Sequence, residues 1–219
     1  MNAIQASLLQ KVIEPRRRGT PLAPALILLH GRGADEEDLL GLAEYLDERF
    51  FIICPRAPFA FKMGGGYTWY DLEEIGKPDP EMFRASYEKV VHFTNEVRAG
   101  YPVDPENVFI GGFSMGTVMS YALALTHPSL VRGVVANSGY IPEETDLTFS
   151  WSEMKSKPVL VTHGTYDPVI PVSFGHRAKD LLSKAGAALT YREYDMGHQI
   201  GEESLNDMMQ WLSGQLGTP

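Results

Sequence analysis

The sequence predicts a doubly wound α/β architecture: a mostly parallel sheet with helices on both faces. Three observations carry this expectation. Strand-like and helix-like segments alternate along the chain. The strand-like segments are continuous apolar runs such as Ala25-Leu26-Ile27-Leu28-Leu29, as strands covered on both faces are. The elements consume nearly all of the 219 residues and leave only two irregular excursions, 55–80 and 139–156. There is no repeat, low-complexity tract or linker, so a single domain spanning 1–219 is expected.

Taken in order, residues Ala3–Ile13 suggest an edge strand or hairpin arm, and Arg16-Arg17-Arg18-Gly19 a solvated turn. Ala25–Leu29 is the first buried strand and runs into His30-Gly31-Arg32-Gly33. Asp35-Glu36-Glu37-Asp38 should open a helix, with acids at its positive end and Leu39, Leu42, Ala43 and Leu46 facing inward. Phe51–Cys54 is the next strand. The 55–80 stretch carries Phe59, Phe61, Met63, Gly64-Gly65-Gly66, Tyr67, Trp69 and Tyr70, and is too long for a simple connection. Glu81–Arg98 reads as a helix, Val108–Ile110 as a strand, and Ser114–Thr126 as a helix. Val131–Ala136 is a strand, followed by the second excursion with Trp151. The closing elements are a strand at Val159–Thr162, a helix at Phe174–Ala185, a strand at Leu189–Tyr194 and a helix at Glu202–Leu216.

Composition excludes several classes. The net charge of −9 argues against a nucleic-acid or anionic-membrane binder, which needs a basic face. No run approaches the roughly 18 apolar residues of a membrane span, so no stable membrane insertion is expected. Residues 1–14 lack the apolar core of a signal peptide. Cys54 is the one cysteine, which rules out an intrachain disulfide and suits a reducing, cytoplasmic setting. It reads as a small apolar residue ending a buried strand.

The chemistry concentrates in Val108-Phe109-Ile110-Gly111-Gly112-Phe113-Ser114-Met115-Gly116-Thr117, which matches G-x-S-x-G. A serine at the tip of a tight strand-to-helix turn presents its hydroxyl, and the crowded turn needs small residues at 112 and 116. The helix that follows would favour negative charge at the serine. Alone the motif is weak, since an incidental serine in a glycine-rich turn gives the same pattern. A nucleophilic serine needs a base, and the base an orienting acid. Asp167, in His163-Gly164-Thr165-Tyr166-Asp167-Pro168-Val169-Ile170-Pro171, follows a strand after the turn. An Asp-Pro surface turn is the bland alternative. His198 follows the last strand in Gly197-His198. His30 and His163 read as groups lining the site, while His92, His127 and His176 fall in or near helices. Asp195 is a rival acid, though only three residues from His198. The amides of Arg32 and Met115 are the candidate oxyanion donors.

With Leu29-His30-Gly31-Arg32-Gly33, Trp69-Tyr70-Asp71, Gly112-Phe113-Ser114-Met115-Gly116, His163-Gly164-x-x-Asp167-x-x-Ile170-Pro171 and Gly197-His198 in hand, the chain resembles the phospholipase/carboxylesterase family of α/β-hydrolases, which includes the acyl-protein thioesterases. The resemblance covers most of the chain. It implies an α/β-hydrolase fold without a cap domain and a small serine esterase with no metal and no organic cofactor. Its triad falls on Ser114, Asp167 and His198, and its oxyanion amides on Arg32 and Met115. Two departures stand out. Thioesterase members tend to carry Gln where Met115 stands and an apolar residue where Arg32 stands. The Arg32 side chain reads as solvent-facing; meeting a substrate carboxylate is its alternative.

The expected substrate is a short- or medium-chain acyl ester, or on the same scaffold a thioester or lysophospholipid. Phe61, Met63 and Trp69 are candidates for a shallow apolar pocket wall; packing of Trp69 and Phe61 onto the core is the equal alternative. A non-catalytic binding module is the third reading. A dienelactone-type hydrolase is disfavoured by the serine, since a cysteine would normally replace it. A homodimer is compatible with the sequence but not read from it.

Overall fold

The computed structural model describes residues 4–17 and 21–217. Ala3 of the first arm, and Arg18 and Gly19 of the arginine turn, lie outside them. Among the described residues eleven strands and four α-helices follow in chain order: β1 (Gln10–Ile13), β2 (Ala23–Leu29), β3 (Phe51–Pro55), β4 (Phe59–Ala60), β5 (Tyr67–Thr68), β6 (Leu72–Glu74), β7 (Lys77–Pro78), α1 (Pro80–Gly100), β8 (Val103–Phe113), α2 (Met115–Thr126), β9 (Gly133–Asn137), β10 (Pro158–Gly164), α3 (Val172–Lys184), β11 (Ala188–Tyr194) and α4 (Glu202–Gln215).

Seven strands form one sheet in the order β1-β3-β2-β8-β9-β10-β11. Every neighbouring pair is parallel except β1 with β3. The chain winds outward from β2 to β3, then returns to place β8 on the other side of β2. The β2/β8 junction is therefore the switch point, and the loops beyond the C-terminal ends of these two strands bound a crevice where α/β proteins bind ligands.

The two faces of β2 show why the apolar runs are continuous. Ala25, Ile27 and Leu29 point into a core shared with α1, α2 and α3 through residues such as Phe83, Val90, Val118 and Ala178. Leu26 and Leu28 point into the opposite core with Leu39, Leu46, Met208 and Leu212. Side chains alternate across a strand, so a strand covered twice must be apolar at every position. Helix α1 starts where Asp79 accepts the Met82 N–H at 2.9 Å and Pro80 supplies a fixed φ. Phe83, Tyr87, Val90, Phe93 and Val97 give its buried stripe at spacings of three and four.

The segment after Asp35 departs from expectation. Instead of an α-helix, it forms successive turns and a short 3-10 helix at Leu40–Glu44. Leu39, Ala43 and Leu46 are buried as expected, while Leu42 is half-buried. Gly41 in the middle of a short segment and polar residues close on both sides leave too little favourable length for an α-helix. The first excursion is also less irregular than expected. It contains two small antiparallel ribbons, β4 with β5 and β6 with β7. Among the described residues no cap domain interrupts the sheet. No helix of the described residues is long and apolar enough to cross a membrane.

Candidate active site

Strand β8 delivers Ser114 at the switch point, in the conformation φ 55°, ψ −118°. A non-glycine residue there is strained and must be held by its surroundings. Three main-chain hydrogen bonds hold it. Ser114 N–H donates to Asn137 O at 3.0 Å, and Ser114 O accepts Thr117 N–H (3.0 Å) and Val118 N–H (3.3 Å). Thr117 Oγ1 lies 2.7 Å from Gly112 O. The flanking glycines are sterically required. A Cβ on Gly116 would lie 1.9 Å from Leu29 O, and one on Gly112 would lie 2.5 Å from Gly116 C. Both clashes are with main chain, which cannot swing aside. Asn137 braces the turn from the next strand: its Nδ2 donates to Gly112 O at 2.9 Å, and its Oδ1 accepts from Thr162 Oγ1 at 2.7 Å.

His198 arrives from the loop after β11. Its Nε2 lies 2.9 Å from Ser114 Oγ, and its Nδ1 lies 2.7 Å from Asp167 Oδ2. An ionised carboxylate only accepts, so Nδ1 carries the proton and Nε2 is left to accept from the serine. Asp167, on the loop after β10, has a wholly buried side chain. Its Oδ1 accepts the N–H groups of Val169 (2.9 Å) and Ile170 (2.8 Å). Those bonds fix the carboxylate and leave Oδ2 for the imidazole. The Phe113 ring packs against His198 with centroids 4.7 Å apart. The rival acid Asp195 is exposed, and among the described residues it is His198 and Asp167 that meet.

Two further histidines are buried beside this trio. His163 Nε2 lies 2.8 Å from Ile170 O and 3.7 Å from Asp167 Oδ2, and burial pushes its pKa down. It is neutral and braces the acid loop. Its Nδ1 has no partner among the described residues. His30 Nε2 accepts the Ala57 N–H at 3.0 Å, so its proton sits on Nδ1, which donates to Gly31 O at 2.7 Å. Burial lowers its pKa as well. The Gly31 carbonyl and the Arg32 N–H belong to one planar trans peptide and point in opposite directions. Anchoring the carbonyl on His30 therefore aims the Arg32 N–H the other way. The sequence marks His30 only as a group lining the site and says nothing of Asn137; a buried side chain that fixes a neighbouring peptide leaves no motif of its own.

A Cβ on Gly31 would lie 3.6 Å from Ser114 Cβ, so the loop after β2 abuts the serine. Among the described residues, neither the Arg32 N–H nor the Met115 N–H meets a protein acceptor. Met115 follows Ser114 in the chain, and Arg32 follows the Gly31 that abuts it. The first excursion holds this loop in place. Gly33 N–H donates to Tyr67 O and Tyr67 N–H to Ala34 O, each at 2.8 Å, and Trp69 Nε1–H donates to His30 O at 2.9 Å. Met115 is buried, and its sulfur accepts from Thr68 Oγ1 at 3.3 Å.

The expected pocket wall is corrected in part. Trp69 has no exposed surface and packs inside the core, so it is a strut of the loop rather than a wall. The pairing of its indole N–H with His30 O drives this, because a buried indole keeps its ring apolar and its donor satisfied. Phe61 is half-buried and lies beneath the Arg32 guanidinium, 4.7 Å from ring centroid to carbon. Met63 is 83% exposed at a loop tip. A hollow of about 230 Å³ opens elsewhere, lined by Gly76, Tyr140, Phe174 and Arg177 among others, and none of these three candidates lines it. Among the described residues no group of three or more His, Cys, Asp or Glu is placed to hold a metal ion. The Cys54 thiol is pushed up to about 12 by burial, which makes it chemically inert.

Comparison with known proteins gives a consistent result. A family model described as phospholipase/carboxylesterase matches residues 9–216. A protein of Arabidopsis thaliana named probable carboxylesterase SOBER1-like is 28% identical over 215 residues, covering 92% of this chain and 82% of its own. Acyl-protein thioesterase 1 of Kluyveromyces lactis is 29% identical over 219 residues, covering 91% and 95%. The crystal structure of the Bacillus cereus carboxylesterase superposes with a TM-score of 0.84 at 23% identity, covering 96% of this chain and 95% of that one.

Proposed function

Because the chain belongs to the phospholipase/carboxylesterase family, we propose that it is a serine carboxylesterase that hydrolyses short- to medium-chain acyl esters through an acyl-enzyme on Ser114. The observation that carries the reading is the continuous relay from Ser114 Oγ to His198 (2.9 Å) to Asp167 (2.7 Å). His198 Nε2 takes the serine proton as Oγ attacks the acyl carbonyl carbon. The oxyanion rests on the Arg32 and Met115 amides, with the α2 N-terminus adding its dipole. As the intermediate collapses, His198 returns the proton to the departing alkoxide, and alcohol leaves. Water then attacks the acyl-enzyme with His198 again as base, giving the carboxylic acid and free Ser114. Asp167 holds the imidazole in the tautomer that accepts at Nε2 and stabilises the imidazolium. No cofactor enters these steps.

The relay also supports a thioesterase, and the 29% identity to a protein named acyl-protein thioesterase 1 favours keeping that reading. The buried Met115, where thioesterase members tend to carry Gln, weighs toward the ester. The absence of a cap domain among the described residues fits an open site for small substrates. Cytoplasmic residence fits the lone, buried Cys54. Turnover of matched ester and thioester series by the wild type and by Ser114→Ala tests this. Wild-type ester hydrolysis that disappears in Ser114→Ala is expected; undiminished turnover in that variant would remove the reading.

A further inference from the structure

The Arg32 side chain has no role in the chemistry described above. Its main-chain N–H is the proposed oxyanion donor, while its side chain is exposed and, among the described residues, meets no carboxylate. Other arginines of the chain do find partners: Arg132 bonds Asn107 and the Gln215 carbonyl. Arg49 pairs with Asp47, Arg56 with Glu36, Arg84 with Asp146 and Arg177 with Glu143. The neighbouring acids on the same loop are engaged elsewhere: Asp35 accepts the Glu37 N–H, and Glu36 holds Arg56.

The guanidinium is nonetheless held in place. It stacks on the Phe61 ring at 4.7 Å, a contact that orients a cation while leaving its N–H groups free. Burial raises the Tyr70 hydroxyl well above its usual range and the Arg32 charge opposes that rise, so the cation lies within electrostatic reach of Tyr70. Phe61 and Tyr70 both belong to the first excursion, whose Tyr67 and Trp69 bond to the loop carrying Arg32. A planar cation on an aromatic platform, one residue from the glycine that abuts Ser114 and with no carboxylate partner among the described residues, is a receptor for an anion.

Reach sets the size of the substrate. From standard bond lengths, a guanidinium carbon lies at most roughly 7 Å from its own amide nitrogen. One residue would thus offer its amide to the carbonyl oxygen and its side chain to an anionic group a few bonds away.

We propose that Arg32 is a specificity determinant that selects short esters or thioesters bearing a carboxylate close to the scissile carbonyl. This rests on the esterase reading and narrows its substrate class. It explains why the loop after β2 carries an arginine where an apolar side chain would serve the oxyanion amide equally well.

The test uses two pairs of esters of matched size, followed by acid release at constant pH. Monoethyl succinate against ethyl 4-methylpentanoate places the carboxylate on the acyl side. Acetoxyacetate against 2-methoxyethyl acetate places it on the alcohol side. The readout is the ratio of kcat/KM for the anionic ester to that for its neutral partner, in the wild type, Arg32→Met and Arg32→Lys. A ratio is needed because both variants also adjoin the oxyanion amide. In at least one pair, Arg32→Met should lower the ratio by roughly 10- to 100-fold, the value of one charge-assisted hydrogen bond. Arg32→Lys should retain part of it, and added salt should lower the wild-type ratio. The pair that responds identifies the side on which the anion sits. Neutral-ester turnover with unchanged ratios in both pairs would overturn this proposal and leave the esterase reading intact. No turnover of any ester by the wild type would overturn both.

Discussion

Asp167→Asn separates orientation of the imidazole from stability of the loop. In the native site Oδ1 accepts two main-chain N–H groups, from Val169 at 2.9 Å and Ile170 at 2.8 Å, while Oδ2 accepts from His198 at 2.7 Å. An asparagine must place its oxygen where the two N–H donors are. The alternative sets an NH₂ group against two other donors and leaves them unsatisfied in a wholly buried site, at about 1–3 kcal/mol each. The amide nitrogen therefore faces His198 Nδ1 and donates to it. The imidazole proton moves to Nε2, which can no longer accept from Ser114. The loop keeps both main-chain bonds, so the fold should persist with a small change in Tm. The rate should collapse, because the reactive tautomer is reached only against the asparagine; a loss of roughly 10⁴ in kcat is the scale known for such a swap in a serine protease. Steady-state hydrolysis of 4-nitrophenyl butyrate with calorimetry on the same sample reads both effects. A loss under about tenfold, with the fold intact, would refute the tautomer argument and the assignment of Asp167.

Three other expectations come from the same geometry. Gly116→Ala puts a methyl 1.9 Å from the Leu29 carbonyl oxygen, so the turn and α2 must part; soluble yield and Tm should both fall sharply, by more than the roughly 1–3 kcal/mol of ordinary overpacking, and a Tm within a degree or two of wild type would contradict this. Trp69→Phe removes the donor to His30 O and should cost about 1–3 kcal/mol, or a Tm drop of several degrees read by calorimetry, with a lowered kcat because the loop carrying Arg32 loosens. His30 and His163 are buried and neutral, with pKa values lowered by burial. The unfolded chain then binds more protons, so stability is full above the ordinary imidazole value of about 6.5 and is lost as pH falls below it toward the depressed folded values; urea unfolding across that interval should show the decline, and flat stability would contradict it.

The site was more legible in the sequence than its supports. The elbow is readable because Gly112, Ser114 and Gly116 must sit at fixed spacing between an apolar strand and a helix, and the main-chain clashes at both glycines show why. Asp167 and His198 are readable because each follows a strand on the side of the sheet where Ser114 emerges. The continuous apolar runs announce parallel strands with both faces covered, as β2 displays. The antiparallel pairing of β1 with β3 is less visible, since a four-residue edge strand carries no mark of its partner's direction. The helix expected after Asp35 failed because acids and inward leucines also suit a run of turns, and Gly41 tips the balance. Trp69 stayed open between pocket wall and core strut because aromatic richness near a site looks the same either way; its burial and its bond to His30 O are tertiary. His30 depends on the Ala57 N–H to direct its proton to Gly31 O, and Asn137 acts on the Gly112 carbonyl of another strand; that tertiary pairing is absent from local sequence.

The central claim, that Ser114 is made nucleophilic by His198, is tested most directly by covalent capture. Wild-type protein treated with a fluorophosphonate, digested and sequenced by mass spectrometry should carry one phosphonyl adduct, on Ser114. That adduct should vanish in Ser114→Ala and form at least a hundredfold more slowly in His198→Ala, roughly the lower end of what general-base assistance contributes. Equal labelling rates in the wild type and His198→Ala, or an adduct on another serine with Ser114 unmodified, would contradict it.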